Sequence, residues 1–349
     1  MKILIYGAGP FGSFFAERLT EAGHQVSLLA RGQRLQELKE HGVVIEDSAT
    51  GQQTVTKVDV VESLQENDNY DLVIIPMRKN QVIKILPVLA ANKKVPTFLF
   101  MMNNAAGQQQ LVDALGRERV MIGFPMPGGE RDGHVIRMLP VNEKKKCTMP
   151  VGEVDGRVTE RTRQVAEVLG SMRGYKVQVR RDMDNWLKTH VAILMPALVP
   201  ALYAAGTDSE RLMRTRDAMV LGTRGMKEAL RALRSVGVKV KPWSLFEWIP
   251  EPLMVYFLRL FAKSEEMEIS GIGHAHAARD EMKHLTEEFF ELIRPAGGPT
   301  PLMEKLYRYY DPNTSPLPDG SSEIPLNWVG IWGPLLALAT LSGLVIRLV

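Results

Sequence analysis

The chain has 349 residues, enough for two domains of ordinary size. Its net charge is only +3 and its basic residues are spread along the chain, which argues against a nucleic-acid-binding surface. Cys147 is the one cysteine in the sequence, so a disulfide framework is excluded and a reducing compartment is expected.

The chain opens on a short apolar strand, residues 2–6, that runs into a glycine-rich turn and then an amphipathic helix. The turn is Gly7-Ala8-Gly9-Pro10-Phe11-Gly12, which has the spacing of a dinucleotide-binding fingerprint. Gly7 allows the tight turn, Gly9 lets the backbone approach a pyrophosphate, and Gly12 lets the helix approach the strand. We expect these six residues to bind a cofactor, with its diphosphate on the helix N-terminus.

The end of the second strand, residues 25–29, indicates which dinucleotide binds. About 20 residues after the last glycine, an NAD-specific site places an acidic residue on the ribose 2′-hydroxyl. This chain has Ala30-Arg31-Gly32-Gln33-Arg34 there. A guanidinium binds a 2′-phosphate through parallel hydrogen bonds, whereas a carboxylate would repel it. Arg31 and Arg34 therefore predict NADP(H), and the alternative is a solvated loop.

The first half of the chain alternates between apolar strands and helices, which predicts a doubly wound parallel sheet. The predicted strands are residues 2–6, 25–29, 43–46, 72–76, 97–101 and 120–124, with helices at 33–40 and 81–90 between some of them. Later segments, at 133–139 and 148–151, alternate and are expected to extend the sheet with antiparallel strands. Residues 1–180 are thus a predicted Rossmann-type α/β domain.

From about residue 182 the apolar pattern becomes helical. The predicted helices are residues 184–205, 209–236, 252–268, 280–293 and 301–310. Residues 181–310 are therefore a predicted all-α domain, and we expect the substrate in the cleft between the two domains. Residues 191–205 are apolar but short and contain Pro196 and Pro200, which favours a kinked core helix over a membrane span.

The chain ends in a second apolar stretch, residues 324–346, that has no charged residue. It is long enough for a transmembrane helix, and Trp328 and Trp332 lie near one end, where interfacial aromatic residues belong. The preceding residues 311–323 are rich in Pro, Ser, Asp and Gly and are predicted to be a flexible linker. Because Pro334 interrupts the stretch, a helix docked on the protein or in a homodimer interface is the alternative. We expect the catalytic part to be cytoplasmic. The C-terminal stretch would anchor it to a membrane in the first case and would dock on protein in the second.

Several segments together resemble the ketopantoate reductase family, in order over residues 1–305. They are GAGPFGSFFAERLTEAGHQVSLLARG, IIPMRKNQV, MNNAAG, GERDGHVI, NWLK and EMKHLTEEFFELIRPAGGPTP. The resemblance implies a Rossmann domain followed by an all-α domain of the 6-phosphogluconate dehydrogenase C-terminal type. It also implies reduction of a 2-keto acid by NADPH.

The resemblance further implies roles for individual residues. Lys188 in NWLK corresponds to the family's catalytic lysine, whose ammonium polarises the keto oxygen and delivers the proton. Glu281 corresponds to a glutamate near the nicotinamide and the substrate, and Asn104 to an asparagine that touches cofactor and substrate. Arg78 stands where the family has a lysine near the cofactor, with Lys79 beside it.

Two substrate-binding positions depart from the family. The asparagines that hold the substrate's hydroxyl and carboxylate are replaced by Ala192 and Pro196, so poor discrimination for ketopantoate is expected. His274 and His276 stand where the family has a serine-containing substrate segment. They are candidate ligands for a carboxylate or a metal, but the segment offers no third metal ligand, so an ordinary loop or helix start is expected.

The sequence thus predicts an NADPH-dependent reductase of a small carbonyl compound. Lys188 is the predicted electrophile and general acid, Asn104 positions the reactants, and Glu281 orients the lysine or the substrate. Two alternatives stay open: a membrane-tethered NADPH-binding sensor or scaffold without catalysis, and a hydroxyacid or imine reductase on the same fold. No metal and no nucleic-acid partner is expected.

Overall fold

Residues 1–240 and 243–330 are described by a computed structural model of the chain. The chain divides into two compact units, Met1–Lys188 and Thr189–Val349. The boundary between them falls within a helix that spans Met183–Ile193. The predicted domain boundary after residue 180 lies just ahead of this helix.

The first unit contains all twelve strands of the described residues, five α-helices and the start of a sixth. In chain order they are β1 (Lys2–Tyr6), α1 (Pro10–Glu21), β2 (Gln25–Leu29), α2 (Gly32–His41), β3 (Val43–Asp47), β4 (Gln53–Thr56), β5 (Asp59–Val61), β6 (Leu72–Ile75), α3 (Lys79–Ala91), β7 (Phe98–Met101), α4 (Gln109–Leu115), β8 (Val120–Gly123), β9 (Gly129–Asp132), β10 (Val135–Met138), β11 (Cys147–Glu153), α5 (Glu160–Gly170), β12 (Tyr175–Val179) and the start of α6 (Met183–Ile193).

Eight strands of the described chain form the main sheet, in the order β12-β11-β8-β7-β6-β1-β2-β5. From β5 to β8 all neighbours are parallel, while β11 is antiparallel to β8 and parallel to β12. The strand order reverses at β1, where a Rossmann-type sheet binds its dinucleotide beyond the carboxyl ends of the strands. The predicted Rossmann-type fold is confirmed.

Two predicted strands belong to a different sheet from the one expected. Among the described residues, β3 and β10 lie in a smaller sheet with the order β4-β3-β10-β9. They pair in parallel, with Val44 opposite Val135 and Ile45 opposite Ile136. The expectation of an antiparallel extension is right for β11 and wrong for residues 133–139. Alternating apolar residues show that a strand has one buried face but do not show which strand pairs with it.

Both faces of the main sheet are covered, as the uninterrupted apolar strands indicate. Ile3 and Ile5 of β1 point into the core that includes Phe14. Leu4 and Tyr6 point into the core on the opposite face. Because successive side chains of a strand alternate between faces, a strand buried on both sides must be apolar at nearly every position.

The described residues of the second unit form helices and loops and no strand, in agreement with the predicted helical C-terminal region. After α6 come a π-helical segment, α7 (Val199–Ala204), α8 (Ser209–Arg214), α9 (Arg216–Ser235), α10 (Leu245–Trp248), α11 (Glu251–Phe261), a second π-helical segment (Met267–Gly273), α12 (His274–Ala277), α13 (Arg279–Ile293) and α14 (Pro301–Tyr307).

The predicted kinked helix passes through the π-helical segment Leu194–Leu198. In π-helical geometry the carbonyl of Met195 would accept from the N–H five residues later, but Pro200 has none. The Tyr310 hydroxyl donates to this carbonyl instead, at 2.5 Å. Among the described residues, Met183–Ala204 is the one helix long and apolar enough to cross a membrane, and 72% of its apolar window is buried in the protein. Core helices of soluble proteins pass the same length and composition test.

Residues 311–323, predicted to be a flexible linker, form hydrogen bonds with helices α7 and α9. The carboxylate of Asp217, at the start of α9, accepts the backbone N–H groups of Glu323 and Ile324 at 2.9 and 3.0 Å. Leu317 donates its N–H to α7 at 2.8 Å. The composition of the segment could not reveal these contacts because Asp217 lies 106 residues before Glu323.

The predicted transmembrane segment, residues 324–346, falls mostly outside the described residues. Its described start, 324–328, is not helical. Within it, Asn327 donates its backbone N–H to Glu251 at 2.9 Å.

Replacing Asp217 tests how the 311–323 segment is held. We expect Asp217→Ala to lower the free energy of unfolding by about 2–3 kcal/mol, because two N–H donors lose a charged acceptor. Limited proteolysis should then cut within 311–323. Asp319→Ala, which removes an exposed ion pair with Arg214, is the control and should leave the segment protected. Equal protection in Asp217→Ala would contradict the account.

Candidate functional site

The glycine-rich turn lies at the carboxyl end of β1. Gly7 has a φ of +113°, a backbone conformation that other residues rarely adopt. A Cβ on Gly12 would lie 1.8 Å from the carbonyl oxygen of Gly7, so only glycine fits where the helix meets the strand. Gly9 is the N-cap of α1, and a Cβ there would meet no atom within 4 Å. The open space at this helix N-terminus fits the diphosphate of a dinucleotide.

The remaining residues of the turn shape it. The carbonyl of Ala8 accepts from Ser13 Oγ and from Arg34 Nε, both at 3.2 Å. Pro10 occupies the first turn of α1, where a missing N–H costs no helical hydrogen bond. Phe11 packs against the core of the unit. The turn is therefore held from behind, with its glycine backbone exposed in front.

Arg34 supports the turn from inside the protein, which corrects its predicted role as a ligand for the 2′-phosphate. It is buried, and each guanidinium nitrogen has a protein partner. Besides Ala8, it donates to Ser13 Oγ at 3.1 Å, to Glu37 at 3.1 Å and to the His134 carbonyl at 3.0 Å. Proximity in sequence to Arg31 could not reveal this, because His134 comes from a distant strand.

Arg31 lies on the surface at the end of β2, and its role as a ligand for a 2′-phosphate stays a prediction. It is exposed and is the N-cap of α2, directly after β2. Its Nε donates to the Glu62 carbonyl at 3.0 Å, and Nη2 lies 3.4 Å from the Tyr6 hydroxyl. These contacts hold the guanidinium beside the carboxyl ends of β1 and β5, at the same edge of the sheet as the glycine turn.

A buried lysine and a buried asparagine meet after two neighbouring strands. Lys79 starts α3, beyond β6, and its Nζ donates to Asn104 Oδ1 at 2.7 Å. Asn104 follows β7; its Oδ1 also accepts the Gly107 N–H, and its Nδ2 donates to the Gly107 carbonyl and to Gln108 Oε1. Lys79 is 1% exposed and Asn104 is fully buried. The amide of Asn104 thus bonds to protein groups through both its oxygen and its nitrogen, and its expected contact with a ligand stays a prediction.

The hydrogen bonds continue to Lys188. Gln108 Nε2 donates to one carboxylate oxygen of Asp184 at 3.3 Å. The Nζ of Lys188 donates to the other oxygen at 2.6 Å. A Cβ on Gly107, which has a φ of +85°, would lie 3.4 Å from the Lys188 Nζ, so the loop also closes against the ammonium. We refer to Lys79, Asn104, Gln108, Asp184 and Lys188 as the Lys79–Lys188 network.

The direction of each hydrogen bond in this network follows from its charged ends. An ammonium only donates, so Lys79 faces the carbonyl oxygen of the Asn104 amide and leaves the amide nitrogen to face Gln108. Gln108 accepts through Oε1 and therefore donates through Nε2, which requires an acceptor. The carboxylate of Asp184 supplies it and still has an oxygen for Lys188. Donors and acceptors match at every step.

Three members of the network were missed or misassigned at the level of sequence. Arg78 was aligned with the family's lysine near the cofactor, with Lys79 beside it. The structure places the Lys79 ammonium against Asn104, while Arg78 is the half-buried N-cap of α3. Asp184 precedes Lys188 by four residues on α6, a spacing that favours ion pairs and could have been noticed. Nothing in the sequence around Gln108 distinguishes it from a surface residue.

Glu281 belongs to the second unit, so its role beside Lys188 stays a prediction. It is 3% exposed, in the first turn of α13, and its carboxylate lies 3.5 Å from Nε2 of His274. His276 is exposed. In the described residues of the chain, no group of three His, Cys, Asp or Glu side chains could hold a metal ion.

Ala192 and Pro196 lie in the helix that continues from Lys188. Ala192 is fully buried near the end of α6, and Pro196 is buried in the π-helical segment. Neither side chain can form a hydrogen bond. The helix therefore presents no side-chain donor or acceptor at either position.

Comparison with known proteins gives a family model and curated relatives that point to the same kind of reductase. The family model described as ketopantoate reductase PanE/ApbA matches residues 3–144. A 2-dehydropantoate 2-reductase of Aquifex aeolicus is 24% identical over 313 residues, which cover 87% of this chain and 94% of that protein. An uncharacterised oxidoreductase of Bacillus subtilis is 28% identical over 198 residues. The match covers 54% of this chain and only 61% of that relative's length.

The fold is shared with solved reductase structures at low sequence identity. A ternary structure of D-mandelate dehydrogenase with NADH and anilino(oxo)acetate superposes with a TM-score of 0.71 at 14% identity. The match covers 89% of this chain and 97% of that chain. This similarity establishes the fold.

Two alanine substitutions in the glycine turn separate folding from cofactor binding. We expect Gly9→Ala to keep the melting temperature and weaken dinucleotide binding, because its methyl group would occupy the open space before α1. Gly12→Ala should lose both stability and binding, because its methyl group would overlap the Gly7 carbonyl. Thermal melting and fluorescence titration with NADPH measure the two effects. Unchanged nucleotide binding by Gly9→Ala would contradict the assignment.

Proposed function

Because the chain belongs to a ketopantoate reductase-like family of oxidoreductases, we propose that it reduces the carbonyl of a 2-keto acid or related compound with NADPH. The observation that carries this proposal is the Lys79–Lys188 network. It holds a lysine ammonium in the same unit as the glycine-rich turn, and several buried polar groups take part in holding it.

The placement of the network supports its connection to a bound dinucleotide. The glycine turn follows β1, Lys79 follows β6, and Asn104 follows β7. These three strands are adjacent and parallel, so their carboxyl ends meet at one edge of the sheet. Ligands of doubly wound sheets bind at this edge, where the strand order reverses.

Reduction of a carbonyl needs a hydride and a proton. A nicotinamide cofactor, when bound, supplies the hydride. The ammonium of Lys188 polarises the carbonyl oxygen and delivers the proton to it as negative charge develops there. An ammonium has three N–H donors, and Asp184 takes one of them at 2.6 Å.

Asp184 and Gln108 act as positioning residues for Lys188. A lysine side chain has four rotatable bonds, and orienting it costs conformational entropy. The ion pair with Asp184 fixes the direction of Nζ, and Gln108 fixes the carboxylate. The lysine is therefore held before a substrate arrives, which favours catalysis by preorganisation.

The choice of NADPH rests on Arg31. It is exposed, it is held at the carboxyl ends of β1 and β5, and no acidic residue occupies its position. A guanidinium suits the planar recognition of a 2′-phosphate. The related D-mandelate dehydrogenase structure contains NADH, so the fold by itself does not select the phosphorylated nucleotide.

The substrate we propose is a carbonyl compound other than ketopantoate. In the family that this chain resembles, asparagines stand at the positions of Ala192 and Pro196. They hold the hydroxyl and the carboxylate of the substrate. Without those partners a site loses much of its discrimination for a hydroxylated substrate. A 2-keto acid with an apolar side chain fits the loss of the hydroxyl's partner, and its carboxylate would need a partner other than residue 196.

Replacing Lys188 tests the proposed chemistry. Lys188→Ala should lower kcat about 10²- to 10⁴-fold, since a general acid contributes about that much, while the Kd for NADPH stays unchanged. The assay is the loss of nicotinamide absorbance with the best 2-keto acid found in a screen. Lys283→Ala removes an exposed lysine paired with Glu287 and serves as the control. Undiminished turnover by Lys188→Ala would refute the assignment, and absence of turnover in the wild type would favour a sensor.

Replacing Arg31 tests the nucleotide preference. Arg31→Ala should raise the Kd for NADPH about 10- to 100-fold and leave the Kd for NADH unchanged, because only the 2′-phosphate loses charge-assisted hydrogen bonds. Arg163→Ala, on the exposed side of α5, is the matched control. Equal weakening of both nucleotides would show that Arg31 supports the fold instead of reading the phosphate.

A further inference from the structure

Helix α11 of the second unit is apolar on its outer face as well as its inner face. Met254 and Val255 are buried, while five large side chains are between 41% and 57% exposed. They are Leu253, Tyr256, Phe257, Leu260 and Phe261, which we call the α11 stripe. Their spacing places them on one side of the helix. Single exposed apolar residues are common, but a continuous patch marks an interaction site.

The charged residues within 252–264 are all basic. The two acidic residues just before it face inward, since Glu247 pairs with Arg234 and Glu251 pairs with Arg224. Residues 252–264 contain no acidic residue. Arg259 and Lys263 are exposed there and form no ion pair with any described residue. Acidic side chains return only at residues 265 and 266, beyond the helix.

A cavity of about 210 Å³ opens beside the stripe. Its lining combines apolar and cationic side chains, including Met213, Met219, Val255, Tyr256, Arg216 and Arg259. Such a lining suits a molecule with a hydrocarbon part and an anionic part.

Residues 327–330 lie at the same surface. Asn327 bonds to Glu251 at the start of α11, and Gly330 lies beside Pro250, its N-cap. Trp328 is 48% exposed. Trp248, in α10 just before α11, is 83% exposed. The sequence that follows, residues 331–346, has no charged residue.

We propose that the α11 stripe, with its flanking tryptophans and its basic residues, is a binding surface for an anionic lipid bilayer. At 11 residues the helix is about 16 Å long, too short to span a bilayer but suited to lie in its interface. Tryptophan and tyrosine favour that depth, and Arg259 and Lys263 complement anionic headgroups. A second copy of the chain fits less well, because a two-fold contact would bring the basic residues of both stripes together.

The test is co-sedimentation of the full-length protein with lipid vesicles. We expect binding to phosphatidylcholine vesicles that contain about 30% phosphatidylserine, and weaker binding to phosphatidylcholine alone. Raising the salt from about 0.1 M to about 0.5 M should also weaken binding. The double variant Tyr256→Ser/Phe257→Ser should lower the partition coefficient about tenfold or more. Arg259→Glu should remove the preference for phosphatidylserine.

Controls and contrary results are defined by the same measurement. Val55→Ser removes an exposed apolar side chain of β4 in the first unit and should bind vesicles like the wild type. Melting temperature and NADPH binding show that each variant is folded. Wild-type binding by the double variant, or no binding by the wild type, would overturn the proposal. A dimer in sedimentation velocity that the double variant abolishes, without vesicle binding, would assign the stripe to self-association instead.

Discussion

The hydrogen bonds between Lys79 and Lys188 are the interaction on which the rest of the site depends. Buried ammonium and amide groups are costly unless each is paired, so Lys79, Asn104 and Gln108 tolerate little displacement. Asp184 joins this buried end to a lysine that is only partly buried. Movement in the loops after β6 or β7 would therefore change the position of the Lys188 ammonium.

The first unit combines two constraints of different physical origin at one edge of its main sheet. At the glycine turn the constraint is steric, since Gly12 must lie against the carbonyl of Gly7. In the network it is electrostatic, since the Lys79 ammonium and the Asp184 carboxylate determine the direction of the two amides between them. Both lie at the same edge because the turn, Lys79 and Asn104 follow three neighbouring parallel strands.

Local patterns in the sequence predicted the elements that depend on local residues. Strands β1 and β2 have the predicted bounds, and the glycine spacing correctly indicated the tight turn between β1 and α1. Features that depend on residues distant in the sequence were not predicted. Arg34 lies only three residues after Arg31, yet it is buried and donates to the carbonyl of His134. Likewise, the linker composition of residues 311–323 says nothing about Asp217, and the period of β3 does not reveal its partner β10.

The most direct test of the central claim is isotope transfer. The full-length protein is incubated with NADPH deuterated at nicotinamide C4, in each stereochemical form, and a panel of 2-keto acids, and products are analysed by mass spectrometry. Our account predicts a 2-hydroxy acid with deuterium on the carbinol carbon from one of the two forms, and an apolar 2-keto acid as the best substrate. Tight NADPH binding without transfer to any carbonyl compound would contradict it.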